Sequence, residues 1–154
     1  MTATNAQAPC ASPEHRQFDF WIGDWEVFDF SSGQKGAPAG TNLVTKEFKG
    51  CVIQEHWTGS QGGHGGSFNT YQPSEQKWHQ VWVDDSGTFL SLIGEFKDGA
   101  MVLSDEQPGA TLTNRITWSL VNNDPDQVRQ LWQQSRDGGK TWSVAFDGLY
   151  LRKK

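Results

Sequence analysis

The sequence predicts an all-β protein: one antiparallel up-and-down β-barrel of roughly eight to ten strands behind a short N-terminal helical turn. Three observations carry this. Turn chemistry recurs at short intervals: SSGQKGAPAG at 31–40, SQGGHGG at 60–66, QPSEQ at 72–76, DDSG at 84–87, KDGA at 97–100, QPGA at 107–110, NNDPD at 122–126 and RDGGK at 136–140. Each holds Gly, Pro, Asn or Asp where a tight reversal needs a special or pre-set φ. Between them lie short segments of alternating character, the signature of hairpin-linked strands. Finally, 154 residues make one domain, and with eight Trp and nine Phe in a chain only 35% hydrophobic the core must be aromatic.

Residues 1–14, MTATNAQAPCASPE, form a polar leader that is expected to be disordered; they have neither the basic start nor the apolar stretch of a signal peptide. The barrel domain takes 15–154. Residues 13–22 are expected to form a short helical turn at the barrel mouth, begun by Ser12 or Pro13. Strands are then expected at about 23–31, 41–49, 51–58, 67–72, 77–84, 88–97, 100–106, 111–121, 127–135 and 142–152. Closure favours a barrel because it removes exposed edges; a two-sheet sandwich is the alternative. The stretch QFDFWIGDWEVFDF at 17–30 interleaves six aromatic residues with four acids. Gly23 permits a sharp turn into the first strand and Trp25 then plugs the closed end. Phe18, Phe20 and Trp21 are expected to cap that end or cover the mouth, their acidic neighbours facing water.

Period-2 alternation sorts strand residues onto faces. In KWHQVWVDD, Trp78, Gln80, Trp82 and Asp84 share one face; Lys77 and His79 mark the other as the wet one. QVRQLWQQ repeats the arrangement with Val128, Gln130, Trp132 and Gln134. Either these are core Trp with satisfied amides, or they are aromatic walls with a few fixed polar groups, the usual composition of a small-molecule site. In CVIQEHWTG, Cys51, Ile53, Glu55 and Trp57 form the more apolar face, so Glu55 is expected to point inward. In TLTNRITWSL the polar row Thr111, Thr113, Arg115, Thr117 and Ser119 faces solvent or, if it lines a cavity, offers Arg115 as partner to Glu55. Asn69 and Tyr71 in SFNTY add an amide and a phenol to the same wall.

Gly23-Asp24-Trp25 has the G-x-W form found where the first strand enters a lipocalin-type barrel. Together with GGSFNTY, KWHQVWVDDSG, RITW, VRQLWQQSRDGGKTW and FDGLYLRK, the run FDFWIGDWEV resembles a bacterial family of lipocalin-like domains of largely unassigned function, over roughly residues 15 to 153. The resemblance implies a calycin-type barrel with an internal cavity, and it implies no reaction. More distantly, the architecture is similar to haem-binding ten-stranded barrels of the nitrobindin kind. Those use a proximal His late in the chain, whereas the last His here is His79, so haem is not expected. Ser135 to Trp142 matches the S-x-D-x-G-x-x-W pattern of sialidase propellers, where it is a structural hairpin; one copy makes no propeller.

Other classes are excluded by composition or spacing. A net charge of −5 without a Lys/Arg cluster argues against a nucleic-acid partner, and no apolar run is long enough for a membrane span. The His at 15, 56, 64 and 79 lack ligand spacing, so neither metal nor other cofactor is expected. His64 is expected in a mobile loop. No G-x-S-x-G elbow or P-loop occurs. Cys10 and Cys51 are expected to form a disulfide if the compartment is oxidising, placing the protein in a periplasm or outside the cell; otherwise it is cytoplasmic.

The reading that follows is a barrel binding a small apolar or aromatic molecule. Trp57, Trp78, Trp82, Trp132, Gln80 and Gln130 form the wall, with Asn69 orienting the ligand beside Glu55, Arg115 and Tyr71. The alternative is a cofactor-independent isomerase, cyclase or dehydratase in the same cavity, with Glu55 as acid–base group and Arg115 or Tyr71 stabilising developing charge. A third reading is a structural module with a filled core.

Overall fold

The computed structural model describes residues 8–154. Ten strands follow in chain order: β1 (Gly23–Asp29), β2 (Pro38–Glu47), β3 (Val52–Gly59), β4 (His64–Gln72), β5 (Lys77–Asp84), β6 (Phe89–Lys97), β7 (Ala100–Ser104), β8 (Thr113–Val121), β9 (Asp124–Ser135) and β10 (Ser143–Arg152). Each pairs antiparallel with its sequence neighbour, and β10 pairs back onto β1, so the sheet closes. The architecture is the expected up-and-down barrel and not the sandwich.

Strand ends fall close to the turn signals, with three departures. β2 begins at Pro38, inside a segment that reads as turn; a proline is tolerated at the first residue of a strand. β4 begins at His64, so Gly65 and Gly66 are strand residues and His64 is no mobile loop: its backbone N–H donates to Asp85 Oδ2 at 3.0 Å. β9 begins at Asp124, because Asn122 and Asn123, at φ 52° and 60°, make a two-residue hairpin turn.

The barrel's two ends differ. Reversals at 48–51, 73–76, 98–99 and 122–123 close one end, while loops 30–37, 60–63, 85–88, 105–112 and 136–142, three of them seven or eight residues long, frame the other. The N-terminal segment plugs the first end, opposite the mouth at which the helical turn was expected. Of the expected disordered leader, residues 1–7 lie outside the described residues. Residues 8–14 lead into the plug, and Cys10 is disulfide-bonded to Cys51 beside the β2–β3 turn. That bond ties the segment to this end, where the Lys46 ammonium also donates to the His15 carbonyl at 3.1 Å. Two 3-10 turns follow, Pro13–Arg16 and Asp19–Trp21, the first with Ser12 at its N-cap and Pro13 opening it.

Aromatic packing seals the plug. Phe18 stacks on Trp21 with ring centroids 4.9 Å apart and meets Trp118 and Trp78 edge-on at 5.2 and 5.7 Å. All four are buried. Trp25 donates its indole N–H to the Trp21 carbonyl at 2.9 Å, and the Arg152 guanidinium lies over the Trp25 ring at 4.3 Å. A Cβ at Gly23 would come within 2.3 Å of Arg152 Nη1 and 3.0 Å of the Trp25 ring, so a side chain there would displace the guanidinium from its place over that ring. No helix among the described residues is long and apolar enough to cross a membrane.

Candidate functional site

Above the plug the interior is not filled. A cavity of about 200 Å³ is lined by Glu55 and Trp57 of β3, Gln80 and Trp82 of β5, Leu90 of β6, Ile116 of β8, Gln130 and Trp132 of β9, and Ala145, Phe146 and Tyr150 of β10. Pairing shifts between Val144 and Phe146 in β10, and the irregularity brings Ala145 to the cavity rim.

The cavity has two kinds of wall. Trp57, Trp82, Trp132 and Phe146 form the aromatic one, with Leu90 and Ile116 between them. Trp82 donates its N–H to Asp84 Oδ2 at 3.0 Å and Trp132 donates to Asn114 Oδ1 at 2.9 Å. Both indole donors are therefore spent on the protein, leaving carbon surface for an occupant. Partial desolvation works against the charge on Asp84, but donors from Ser86, Trp82 and Thr88 outweigh it and hold the carboxyl down to about 2.

The polar wall is a continuous belt of hydrogen bonds. Gln80 Nε2 donates to Asn69 Oδ1 at 2.7 Å, Asn69 Nδ2 donates to Ser67 Oγ at 2.9 Å, and Ser67 donates to Glu55 Oε1 at 2.6 Å. From the other side Asn42 Nδ2 donates to Glu55 Oε2 at 2.7 Å and to the Tyr150 hydroxyl at 3.1 Å. Tyr150 in turn donates to Gln130 Oε1 at 2.5 Å. Register explains the convergence: Glu55 is paired with Ser67 on β4 and Val44 on β2, and Asn42 with Trp57. Gln80 and Gln130 terminate the belt on opposite sides of the cavity.

Glu55 is the centre of this network. It is 4% exposed, and among the described residues no Lys, Arg or His lines the cavity with it. Burial without a countercharge pushes its carboxyl up to about 7, against the hydrogen bonds from Ser67 and Asn42 that favour the ionised form. Burial first, and then the charge of Glu55, hold the Tyr150 hydroxyl well above the ordinary phenol range, so it remains a donor. A carboxyl at this value exchanges protons readily near neutral pH.

The expected residues are distributed as follows. Glu55, Trp57, Gln80, Trp82, Gln130 and Trp132 line the cavity. Asn69 stands behind them, also donating to the Ile53 carbonyl at 3.1 Å. Trp78 and Tyr71 are in the plugged end, 5.9 Å apart between ring centroids, with Tyr71 edge-on to His15; neither reaches the cavity. Arg115 is not a partner of Glu55. The polar row of β8 faces outward, because Ile116 and Trp118 take the interior. Arg115 lies over the Trp142 ring at 3.9 Å and donates to Gln133 Oε1 at 3.1 Å. Asn42, Ser67 and Tyr150 belong to the site without having been singled out. Alternation alone could have found them: Asn42 shares a face with Val44, Ser67 with Asn69, and Tyr150 with Phe146.

The hairpin at 135–142 is structural, as its pattern suggests: Ser135 donates to Asp137 Oδ1 at 2.8 Å, and the Thr141 backbone N–H donates to the same oxygen at 2.8 Å. Among the described residues no three of His, Cys, Asp and Glu come together as a metal ion would require. No family model matches the sequence, and comparison with curated proteins finds no match.

Proposed function

We propose that the barrel binds a small, largely apolar or aromatic molecule in its cavity. The observation that carries this is an unfilled interior with an aromatic wall facing a polar belt, the composition of small-molecule sites. Its volume sets the scale. A cavity of about 150 Å³ takes up benzene, so about 200 Å³ suits a substituted single ring. The closed ten-stranded barrel supports membership of the lipocalin-like family that FDFWIGDWEV resembles. The Cys10–Cys51 disulfide supports residence in an oxidising compartment.

Trp fluorescence tests the reading. Single-ring aromatic probes are expected to quench it with micromolar affinity, about −8 kcal/mol. Trp82→Ala or Trp132→Ala is expected to weaken binding by tenfold or more, roughly 1.4 kcal/mol. Trp142→Ala, which alters only the 135–142 hairpin and its Arg115 contact, is expected to leave it within about twofold. Equal losses in all three variants, or no quenching by any probe, overturn the reading.

A second reading is favoured by one observation, the buried Glu55 carboxyl poised at about 7. It is an enzyme without cofactor, of isomerase, cyclase or dehydratase type, in which Glu55 moves a proton and the Tyr150 hydroxyl, in place of Arg115 and Tyr71, donates to developing negative charge. Glu55→Gln is then expected to abolish turnover of a substrate while holding its affinity within a few-fold; undiminished turnover refutes the assignment.

A further inference from the structure

Resting on the binding reading above, we infer that the cavity's ligand is a small organic cation, a compact alkylated ammonium or a protonated aromatic amine, held between Glu55 and the rings of Trp57, Trp82 and Trp132. Three features of the cavity point the same way. Its one charged group is a buried carboxyl, and no cationic side chain lines the cavity among the described residues. The groups that face Glu55 are Asn42 from β2, Ser67 from β4 and Tyr150 from β10. Of these only Tyr150 can titrate, and it stays neutral. Every donor in the belt that reaches Glu55 is arranged for a carboxylate, yet the countercharge that would make burial of that carboxylate tolerable is missing. A bound cation supplies it; a neutral occupant does not.

The aromatic wall fits the same ligand. Rings attract a cation through their negative faces, and clusters of them are a recurrent way of recognising quaternary ammonium groups. The N–H of Trp82 is bonded to the ionised Asp84 carboxylate, which makes that indole a richer electron donor to a cation. A site built for a neutral hydrogen-bonding ligand would instead present those indole N–H groups inward. The net charge of −5 biases diffusion in the same direction at low ionic strength.

A matched pair of probes tests this. Phenyltrimethylammonium carries a charge that does not change with pH, and tert-butylbenzene is its neutral isostere. At about pH 8.5, where Glu55 is ionised, the cation is expected to bind the parent protein about tenfold more tightly than the isostere. At about pH 5.5, where Glu55 is protonated, that preference is expected to shrink to about twofold. Glu55→Gln is expected to hold the preference at about twofold at both values, as the protonated acid does, while retaining the isostere's affinity within about twofold. If the two probes bind equally at the higher pH, or the preference survives both the pH change and the substitution, the cation inference fails and cavity binding stands. If neither probe binds the parent protein, both fail.

Discussion

At the scale of single residues, Glu55 makes folding depend on pH in an unusual direction. Its carboxyl titrates near 7 in the folded chain against an ordinary value of 4.5. Below 4.5 it is protonated in both states. As pH rises from there, the unfolded chain releases the proton while the folded chain keeps it, so stability falls; the loss levels off above about 7. That gap corresponds to roughly 3 kcal/mol. Urea denaturation between about pH 5 and pH 8 is expected to show this decline, and Glu55→Gln to flatten it and exceed the parent's stability at the upper end. A decline unchanged in the variant assigns it to another group. That Glu55 points inward was legible in the sequence, because a lone carboxylate in mid-strand shares a face with Ile53 and Trp57. Alternation offered the inward faces of its partners too, but not which of them meet. Tyr150 meets Asn42 across 108 positions of chain, and Arg115 sits on a strand whose polar row fits solvent as well as a cavity.

Aromatic rings of the cavity lie across glycines, two of them on the neighbouring strand and one two residues along the same strand. A Cβ at Gly40 would come within 2.8 Å of the Trp57 ring, one at Gly65 within 2.4 Å of the Trp82 ring, and one at Gly148 within 2.6 Å of Phe146. Each bare backbone leaves space that a cavity ring occupies, and a side chain there would displace the ring. Gly65→Ala is therefore expected to cost about 1–3 kcal/mol by overpacking and to weaken probe binding with it. Gly63→Ala is the control, since its nearest neighbour would be Asp85 Oδ1 at 3.7 Å; it is expected to change neither stability nor binding, measured by denaturation and fluorescence titration. Equal effects at the two sites refute this role of Gly65. Hairpins were readable from the sequence because turn chemistry is local. The start of β4 was not, because Gly65-Gly66 reads as loop until the ring from the next strand is placed over it.

For the whole molecule, the decisive contacts are those that join distant parts of the chain. Closure of β10 onto β1 could be argued from the need to remove edges, but no local pattern specified its register. The disulfide is one such contact that the sequence did offer, since Cys10 and Cys51 have no other partners. It closes a loop with a sequence separation of 41, worth up to about 4 kcal/mol in the chain-entropy model. Cys51→Ser is expected to lower stability by about that amount in urea denaturation and to leave probe affinity within about twofold, because the bond lies at the end opposite the cavity. A large loss of affinity with unchanged stability contradicts that separation. The plug also governs traffic. With one end stoppered by Phe18, Trp21, Trp78 and Trp118, a ligand arrives and departs through the same doorway, between loops 30–37, 60–63, 85–88, 105–112 and 136–142. Any change that only narrows that doorway must slow arrival and departure by an equal factor, so residence time lengthens while Kd stays where it was.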